Sequence, residues 1–235
     1  MSEKLNIHCL QHVAFEGLGC MEEWISKYNH NLTYTHLYND EKLPDLDKID
    51  VLIVMGGEMS IYDEIDFPWL KAEKRFIKEA INANKKVIGI CLGAQLISSV
   101  LGGTVSINKD KEIGWLPVEA VAPQLSILKN VPTILDVFHW HGETFTIPEN
   151  AIRLFQSAGC ANQGFLYKDR VLGLQFHFEV TRETMRDMAI AGQDELIEDK
   201  YIQSLETILQ TTQFLKQNNE IMFGFLDHLL IDAHN

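Results

Sequence analysis

The 235-residue sequence has no run of about 18 consecutive apolar residues, the length that a membrane-spanning helix requires. Its N-terminus, MSEKLNIHCL, also lacks the apolar segment of a secretory signal peptide. Basic residues are scarce, with 20 Lys and Arg against 33 Asp and Glu and a formal net charge of −13. Because a negative surface repels phosphate backbones, nucleic-acid binding is disfavoured. We expect a cytoplasmic protein that binds neither nucleic acid nor membrane.

Several motifs of cofactor and metal sites are also missing. The four cysteines match neither the spacing of a zinc site nor a CxxC redox motif. The nine histidines form no HExxH pattern, so a metal-dependent hydrolase is disfavoured and no metal is expected. Neither a GxxxxGK[ST] phosphate loop nor a GxGxxG fingerprint occurs, so no cofactor is expected. The simplest interpretation of Cys9, Cys20 and Cys160 is reduced, buried thiols.

In the first 101 residues, strand-like and helix-like patterns alternate. The run DVLIVM, residues 50–55, is continuously apolar after its first residue, which is typical of a strand buried on both faces. Strands are predicted at residues 5–10, 33–38, 50–55 and 86–90, and helices at residues 18–28, 67–83 and 92–101. This alternation predicts an α/β fold with an open, mostly parallel sheet and helices on both faces, a flavodoxin-like three-layer α/β/α arrangement.

The middle of the chain has a different pattern. Between residues 104 and 175, short β-like runs follow one another with little helix, which predicts a small antiparallel or mixed section added to the parallel sheet. After a helix at 181–191, two more helices are predicted from about residue 194, joined near Asn218-Asn219. Because no linker or repeat interrupts the chain, we interpret residues 1–235 as a single domain.

Apolar residues recur at helical spacing near the C-terminus, at Ile221, Phe223, Phe225 and Leu229. Contacts with the protein core are the simplest interpretation of this pattern. The alternative is a surface for a partner or for a second copy of the chain, that is, a homo-oligomer.

Cys91 lies where a predicted strand runs directly into a predicted helix. Gly89 and Gly93, two positions to either side, give the pattern of a sharp turn that projects a nucleophile. The helix N-terminus would favour a thiolate, and the N–H of Leu92 would face a developing oxyanion. A buried cysteine in an ordinary turn explains this segment, taken alone, equally well.

His177 and Glu179 alternate with phenylalanines in QFHFE, residues 175–179, at the end of a predicted strand. In an extended chain their side chains would point to the same side. A histidine near Cys91 can take its proton and later protonate a leaving amine, and a carboxylate behind it would fix its tautomer. The alternative is a core histidine with Glu179 on the surface. The catalytic interpretation is favoured because ligand sites of open α/β sheets gather at the carboxyl ends of strands.

A third segment, MGGEMS at residues 55–60, follows the predicted strand at 50–55. Its glycines would allow a backbone N–H to face a bound carbonyl oxygen and act as a second oxyanion donor. A plain strand-to-helix turn explains the segment equally well when it is taken alone.

Together, GICLGAQL, MGGEMSIYD and QFHFE resemble, in order and spacing, the class I (triad) glutamine amidotransferases. The resemblance covers about the first 190 residues. Within the family, EIGWLPVEA at 112–120 and FHWHGETFTIPENA at 138–151 are most similar to stand-alone members that look like the glutaminase domain of GMP synthetase.

The resemblance implies that Cys91 is the nucleophile, His177 the general base and acid, and Glu179 the carboxylate that orients His177. It also implies that the backbone N–H groups of Gly57 and Leu92 form the oxyanion hole. Gln95 and the loop of Trp140, His141 and Gly142 would contact the substrate.

The chain departs from the family pattern at one position. The common family triplet is His-Pro-Glu, whereas this chain has His177-Phe178-Glu179. Since the middle side chain performs no chemistry in the family, we expect only altered packing. His139 and His141 are rival candidates for the base, and we expect them to have a structural or substrate-contact role.

The function implied is hydrolysis of the glutamine side-chain amide through a cysteine γ-glutamyl thioester. The ammonia would pass to an unknown acceptor or to a partner synthase. One alternative is a γ-glutamyl peptidase that uses the same three residues on a different small-molecule substrate. A second alternative is a non-catalytic regulatory subunit on the same scaffold.

Overall fold

The structure is a computed structural model that describes residues 4–231. Within this range the chain forms nine strands and six α-helices. The strands are β1 (Asn6–Gln11), β2 (Asn31–His36), β3 (Val51–Val54), β4 (Lys86–Ile90), β5 (Val105–Ala120), β6 (Ile134–Phe145), β7 (Ala151–Gln156), β8 (Gly164–Tyr167) and β9 (Val171–Leu174). The helices are α1 (Met21–Lys27), α2 (Leu70–Asn82), α3 (Leu92–Val100), α4 (Arg182–Ala191), α5 (Leu205–Gln210) and α6 (Leu215–Leu230).

These strands form one sheet in the order β2-β1-β3-β4-β9-β8-β7-β5-β6. Neighbouring strands from β2 to β9 are parallel, and those from β9 to β6 are antiparallel. The predicted α/β fold with a parallel sheet is confirmed. The predicted antiparallel section is present as β5 to β8, and it continues the same sheet through the pairing of β8 with β9.

Helices cover both faces of the parallel half, as predicted. Side chains of a strand point alternately to opposite faces, and all four residues of β3 are buried. Val51 and Ile53 contribute to a core that includes residues of α1 and α6. Leu52 and Val54 contribute to a second core with residues of α2 and α3. Burial on both faces explains why this strand is an uninterrupted apolar run.

A third cluster fills the space beside the ribbon of β5 and β6. Trp115 of β5 and Phe138 of β6 pack there with Met185 and Met188 of α4 and Ile208 of α5. No helix within residues 4–231 combines the length and apolar character needed to cross a bilayer.

The C-terminal region differs from the prediction in its boundaries. The first α-helix after α4 begins at Leu205 rather than near residue 194. The predicted break at Asn218-Asn219 is wrong, since both residues lie inside α6. Asn218 is fully buried, and its Nδ2 donates to the carbonyls of Asp136 and Phe214. Tertiary contacts therefore override the usual turn preference of paired asparagines.

The apolar residues of α6 are core residues. Ile221, Phe225 and Leu229 are buried, and Phe223 is partly buried against the same cluster. The four cysteines are free and buried, which confirms the interpretation of Cys9, Cys20 and Cys160 as reduced, buried thiols.

Candidate active site

Cys91 occupies the turn between β4 and α3 with an unusual backbone conformation. Its φ of 51° and ψ of −108° lie in a region that residues with a side chain rarely adopt. A Cβ on Gly93 would collide with the carbonyl oxygen of Val54, so the close packing of α3 against β3 requires glycine there. The predicted sharp strand-to-helix turn is therefore present.

The Cys91 thiol is held by polar groups from three directions. Its Sγ lies 3.6 Å from the carbonyl oxygen of Trp140 and 3.6 Å from Nε2 of Gln175, which donates to it. A hydrogen bond from the N–H of Leu92 favours the thiolate. Gln175 is positioned in turn by Gln95, whose Nε2 donates to its Oε1 at 3.2 Å. These contacts fix the sulfur at the N-terminus of α3.

His177 and Glu179 lie beyond the end of β9, which stops at Leu174 instead of continuing through QFHFE. The N–H of His177 bonds to the carbonyl of Phe138 at 2.8 Å, which ties this segment to β6. Nδ1 of His177 lies 2.7 Å from Oε1 of Glu179, and both side chains are almost fully buried. Since the carboxylate accepts, Nδ1 carries the proton. Nε2 is left buried without a hydrogen-bond partner of regular geometry among residues 4–231.

The charges of these groups are coupled. Burial opposes protonation of His177, but Glu179 and the neighbouring Cys91 outweigh it and raise the His177 pKa well above its usual value. Burial raises the pKa of the Cys91 thiol, and the interaction with His177 opposes that increase. The structure thus places Cys91, His177 and Glu179 close enough to interact electrostatically, and His177 favours ionisation of a thiol that burial otherwise keeps neutral.

Phe178 accounts for the departure from the family triplet. Its side chain is fully buried and packs edge-to-face against Phe155, Phe176 and Phe225. The middle position therefore serves packing, as expected, and leaves the polar pair of His177 and Glu179 intact.

An open cavity of about 310 Å³ lies over the Cys91 thiol. Its lining includes Cys91 and five other residues selected from the sequence, namely Gly57, Gln95, Trp140, His141 and Gly142. The last three lie within β6 rather than in the predicted loop. No acceptor within residues 4–231 receives a hydrogen bond from the N–H of Gly57.

His12 and Glu73 form a buried pair that sequence reasoning missed. Nε2 of His12 lies 2.7 Å from Oε1 of Glu73, and both side chains are inaccessible to solvent. Nδ1 of the same ring lies 3.0 Å from the carbonyl oxygen of Gly56. Because the Gly56 carbonyl and the Gly57 N–H belong to one trans peptide unit, this bond also fixes the direction of the Gly57 N–H.

Glu16 is a third residue that the sequence analysis did not select. It lines the cavity, is 9% exposed, and its Oε2 has no hydrogen-bond partner within the described range. Burial raises its pKa to about 7. Its position after β1 could have indicated this role. The carboxyl ends of adjacent parallel strands meet at one edge of the sheet, so residues that follow β1 can lie near those that follow β3 and β4.

Glu112, His139 and His141 form a buried cluster whose candidate ligand atoms lie within 4.8 Å of one another. These residue types could hold a divalent ion. They also interact with each other, since Nε2 of His141 lies 3.3 Å from Glu112 and 3.4 Å from Nδ1 of His139. Burial lowers the His139 pKa to about 3, so this ring is neutral. The predicted structural or substrate-contact role of His139 and His141 stays a prediction.

Comparison with known proteins gives consistent matches. A family model described as glutamine amidotransferase class-I matches residues 22–193, a range that contains Cys91, His177 and Glu179. The chain is 31% identical to the glutamine amidotransferase-like protein YfeJ of Salmonella typhimurium over 98% of this chain and 99% of that protein. A crystal structure of a glutamine amidotransferase from Thermotoga maritima has a TM-score of 0.89 and 33% identity, covering 98% of this chain and 100% of that one.

Two further relatives match a smaller part of the chain, each at 32% identity. Gamma-glutamyl peptidase 4 of Arabidopsis thaliana aligns over 61% of this chain and 59% of its own length. The glutamine-hydrolyzing GMP synthase subunit of Thermoplasma acidophilum aligns over 60% of this chain and 69% of its own length.

Proposed function

Because this chain belongs to the class-I glutamine amidotransferase family, we propose that it hydrolyses the side-chain amide of glutamine, with Cys91 as nucleophile. One observation carries the proposal. The Cys91 thiol sits at a cavity on a strained turn, beside a histidine whose Nδ1 is hydrogen-bonded to a buried carboxylate and whose Nε2 has no hydrogen-bond partner of regular geometry within residues 4–231. That arrangement suits nucleophilic catalysis by a Cys-His-Glu triad.

In the first half of the reaction, the Cys91 thiolate attacks the δ-carbon of glutamine and forms a tetrahedral oxyanion. The His177 imidazolium then gives its proton to the amide nitrogen, the carbon–nitrogen bond breaks, and ammonia leaves. In the second half, Nε2 of His177 takes a proton from water as the water attacks the γ-glutamyl thioester. Glutamate is released and the Cys91–His177 pair is restored. Glu179 holds the ring and stabilises its positive charge.

We assign the oxyanion hole to the backbone N–H groups of Leu92 and Gly57. The Leu92 N–H already faces the sulfur, and the Gly57 N–H has no acceptor within the described part of the chain. The His12–Glu73 pair acts behind this hole by holding the Gly56–Gly57 peptide in one orientation. A preorganised donor of this kind contributes about 10²–10³ in turnover.

The test is Cys91→Ala. The variant is expected to release no glutamate from glutamine while its far-UV circular dichroism and melting temperature stay close to those of the unchanged chain. Cys9→Ala is the matched control, because Cys9 is also a buried free thiol but lies inside β1. It should retain turnover. Normal glutaminase activity in Cys91→Ala would remove the basis of the assignment.

A γ-glutamyl peptidase is the second candidate. The cavity extends from Cys91 to Met188, Gly192 and Glu195, which gives space for an amine larger than ammonia. The similarity to gamma-glutamyl peptidase 4 also supports it. The thioester chemistry is unchanged, so the ratio of kcat/KM for glutamine to that for γ-glutamyl amides decides between the two. A non-catalytic regulatory subunit is the third possibility, and it predicts no labelling of Cys91 by an electrophilic glutamine analogue.

If glutamine is the substrate, the ammonia needs an acceptor. The similarity to the GMP synthase subunit of Thermoplasma acidophilum supports a partner synthase that would receive the ammonia. A pull-down with the full chain, followed by a glutaminase assay with and without the captured protein, tests this part. Stimulation of turnover by the captured protein is the expected result.

A further inference from the structure

The lining of the cavity over Cys91 is rich in acidic side chains. Five carboxyl groups contribute, those of Glu16, Glu58, Asp63, Glu143 and Glu195, and among residues 4–231 neither a lysine nor an arginine belongs to the lining. Within residues 4–231, a lysine or arginine pairs with Glu195 alone of these five, through Nζ of Lys111 at 2.8 Å. Four carboxyl groups therefore face the cavity without a lysine or arginine partner.

Two of these carboxyl groups are held close together by one serine. The Ser60 N–H donates to Oδ2 of Asp63 at 2.8 Å, and the Ser60 hydroxyl donates to Oε1 of Glu143 at 3.0 Å. Burial raises the pKa of Glu143, and the charge of Asp63 adds to the increase. The repulsion between two negative charges held side by side in a cleft is reduced when a cation binds between them.

Glu16 provides independent evidence for a ligand. It is 9% exposed and lines the cavity, yet its Oε2 has no hydrogen-bond partner in the part of the chain that the structure describes. The carboxyl group fills the space beside Gly56, where a side chain would collide with it, and that space adjoins Cys91. A buried acceptor left unpaired is costly, so a donor brought by the ligand would satisfy it.

We propose that the natural substrate is a γ-glutamyl amide of a cationic amine, such as a diamine with one free ammonium group. This inference rests on the proposed hydrolysis by Cys91 and develops its second candidate, in which the leaving amine is larger than ammonia. His177 protonates the amide nitrogen, the carbon–nitrogen bond breaks, and water hydrolyses the thioester, so the products are glutamate and the free diamine. The distal ammonium takes no part in bond making and is attracted by the unpaired carboxylates. A leaving amine with a free carboxylate is repelled by the same groups.

The test compares three γ-glutamyl amides of matched length: N-(4-aminobutyl), N-pentyl and N-(3-carboxypropyl). Glutamate release by the full chain gives kcat/KM for each. The cationic amide is expected to exceed the neutral one by about tenfold, with the anionic amide lowest. The difference should shrink when salt is raised from about 0.05 M to about 0.5 M, because salt screens charges in an open cavity. Equal values for the cationic and neutral amides, or the highest value for the anionic one, overturn the proposal.

Variants test whether Asp63 and Glu143 cause the preference for the cationic amide. The double variant Asp63→Asn, Glu143→Gln is expected to lower the ratio of kcat/KM between cationic and neutral amides about fivefold or more. Glu64→Gln is the control, since Glu64 is the next residue in the chain but pairs with Lys74 and is absent from the cavity lining. It should leave the ratio unchanged. A ratio that is the same in the double variant and the unchanged chain contradicts the proposal.

Binding to Cys91→Ala separates this inference from the proposed hydrolysis. Calorimetry with the same amides measures recognition without turnover. If the unchanged chain hydrolyses none of them and glutamine also fails, the proposed reaction is wrong. Tighter binding of the cationic amide would then still support the charge preference, and equal binding of the cationic and neutral amides would overturn it.

Discussion

Burial of Glu16 in the folded chain opposes ionisation of its carboxyl group. Burial raises the pKa of this carboxyl group from 4.5 to about 7, with His177, Glu179, His12 and Glu58 as the charged neighbours that modify it. The folded chain therefore binds a proton that the unfolded chain releases between these two values. Stability from this group is complete below pH 4.5 and is lost as the pH rises through about 7. At higher pH, the buried charge opposes folding.

Glu16→Gln removes that charge. At about 1.4 kcal/mol per pH unit between the two pKa values, the penalty above pH 7 is on the order of 3 kcal/mol. We expect the variant to gain stability relative to the unchanged chain at pH 8 and to gain little at pH 4.5. Urea unfolding at both pH values measures the difference. A gain that is the same at pH 4.5 and pH 8 would argue against a buried, protonated Glu16.

His12 links three elements at the candidate active site. It follows β1, bonds to Glu73 of α2, and holds the carbonyl of Gly56 just beyond β3. We expect His12→Ala to lower kcat for glutamine by up to about 10²-fold with a smaller change in KM, because an oxyanion donor acts mainly in the transition state. His12→Asn, whose amide can still donate to Gly56, should restore part of the loss.

Alkylation of Cys91 by iodoacetamide tests whether His12→Ala affects only the orientation of the Gly57 N–H or disrupts the surroundings of Cys91 as a whole. That displacement needs a thiolate but no oxyanion hole, so its rate in His12→Ala should stay near that of the unchanged chain. His8→Ala is the control, since His8 is a buried histidine of β1, the strand that precedes His12, and bonds to Thr33 and Thr35. It should leave kcat unaffected. Equal loss of alkylation and turnover in His12→Ala would indicate structural damage instead.

Helix α6 supports the segment that carries Glu179, the carboxylate of the proposed triad. Nδ2 of Asn219 donates to the carbonyls of Phe178 and Val180, the residues on either side of Glu179. Asn219→Ala leaves both carbonyls without this partner, and we expect a loss of about 1–3 kcal/mol in the free energy of unfolding together with reduced kcat. Chemical denaturation and the glutaminase assay measure the two effects. Gln217→Ala, an exposed change on the same helix, should alter neither.

The elements that local pattern specifies were predicted well. β4 and α3 lie where the sequence indicates them, because the apolar run, the cysteine and the two glycines of that turn are contiguous. The boundaries of α6 were not predictable in this way, since Asn218 is accommodated by a bond to Asp136 that only the folded chain provides. Glu16 and Glu73 were missed for a similar reason, as sheet order and helix packing bring them to the site.

At the scale of the whole molecule, the two halves of the sheet share their interior. The pairing of β4 with β9 and of β9 with β8 makes the parallel and antiparallel halves continuous. The core on the side of α1 and α6 contains residues from both, including Ile53 of β3 and Val118 of β5. Both halves contribute side chains to this one core, which favours one cooperative folding unit.

We therefore predict a single unfolding transition for the chain. Trp24 reports on the parallel half, since its Nε1 donates to Asp227 of α6 at 2.8 Å. Trp115 reports on the antiparallel half, where it packs against Phe138 and Phe214. Variants that keep one of these tryptophans and replace the others by phenylalanine should give urea midpoints by fluorescence that agree with the midpoint by circular dichroism. Two separate midpoints would mean that the sheet contains two independently folding units.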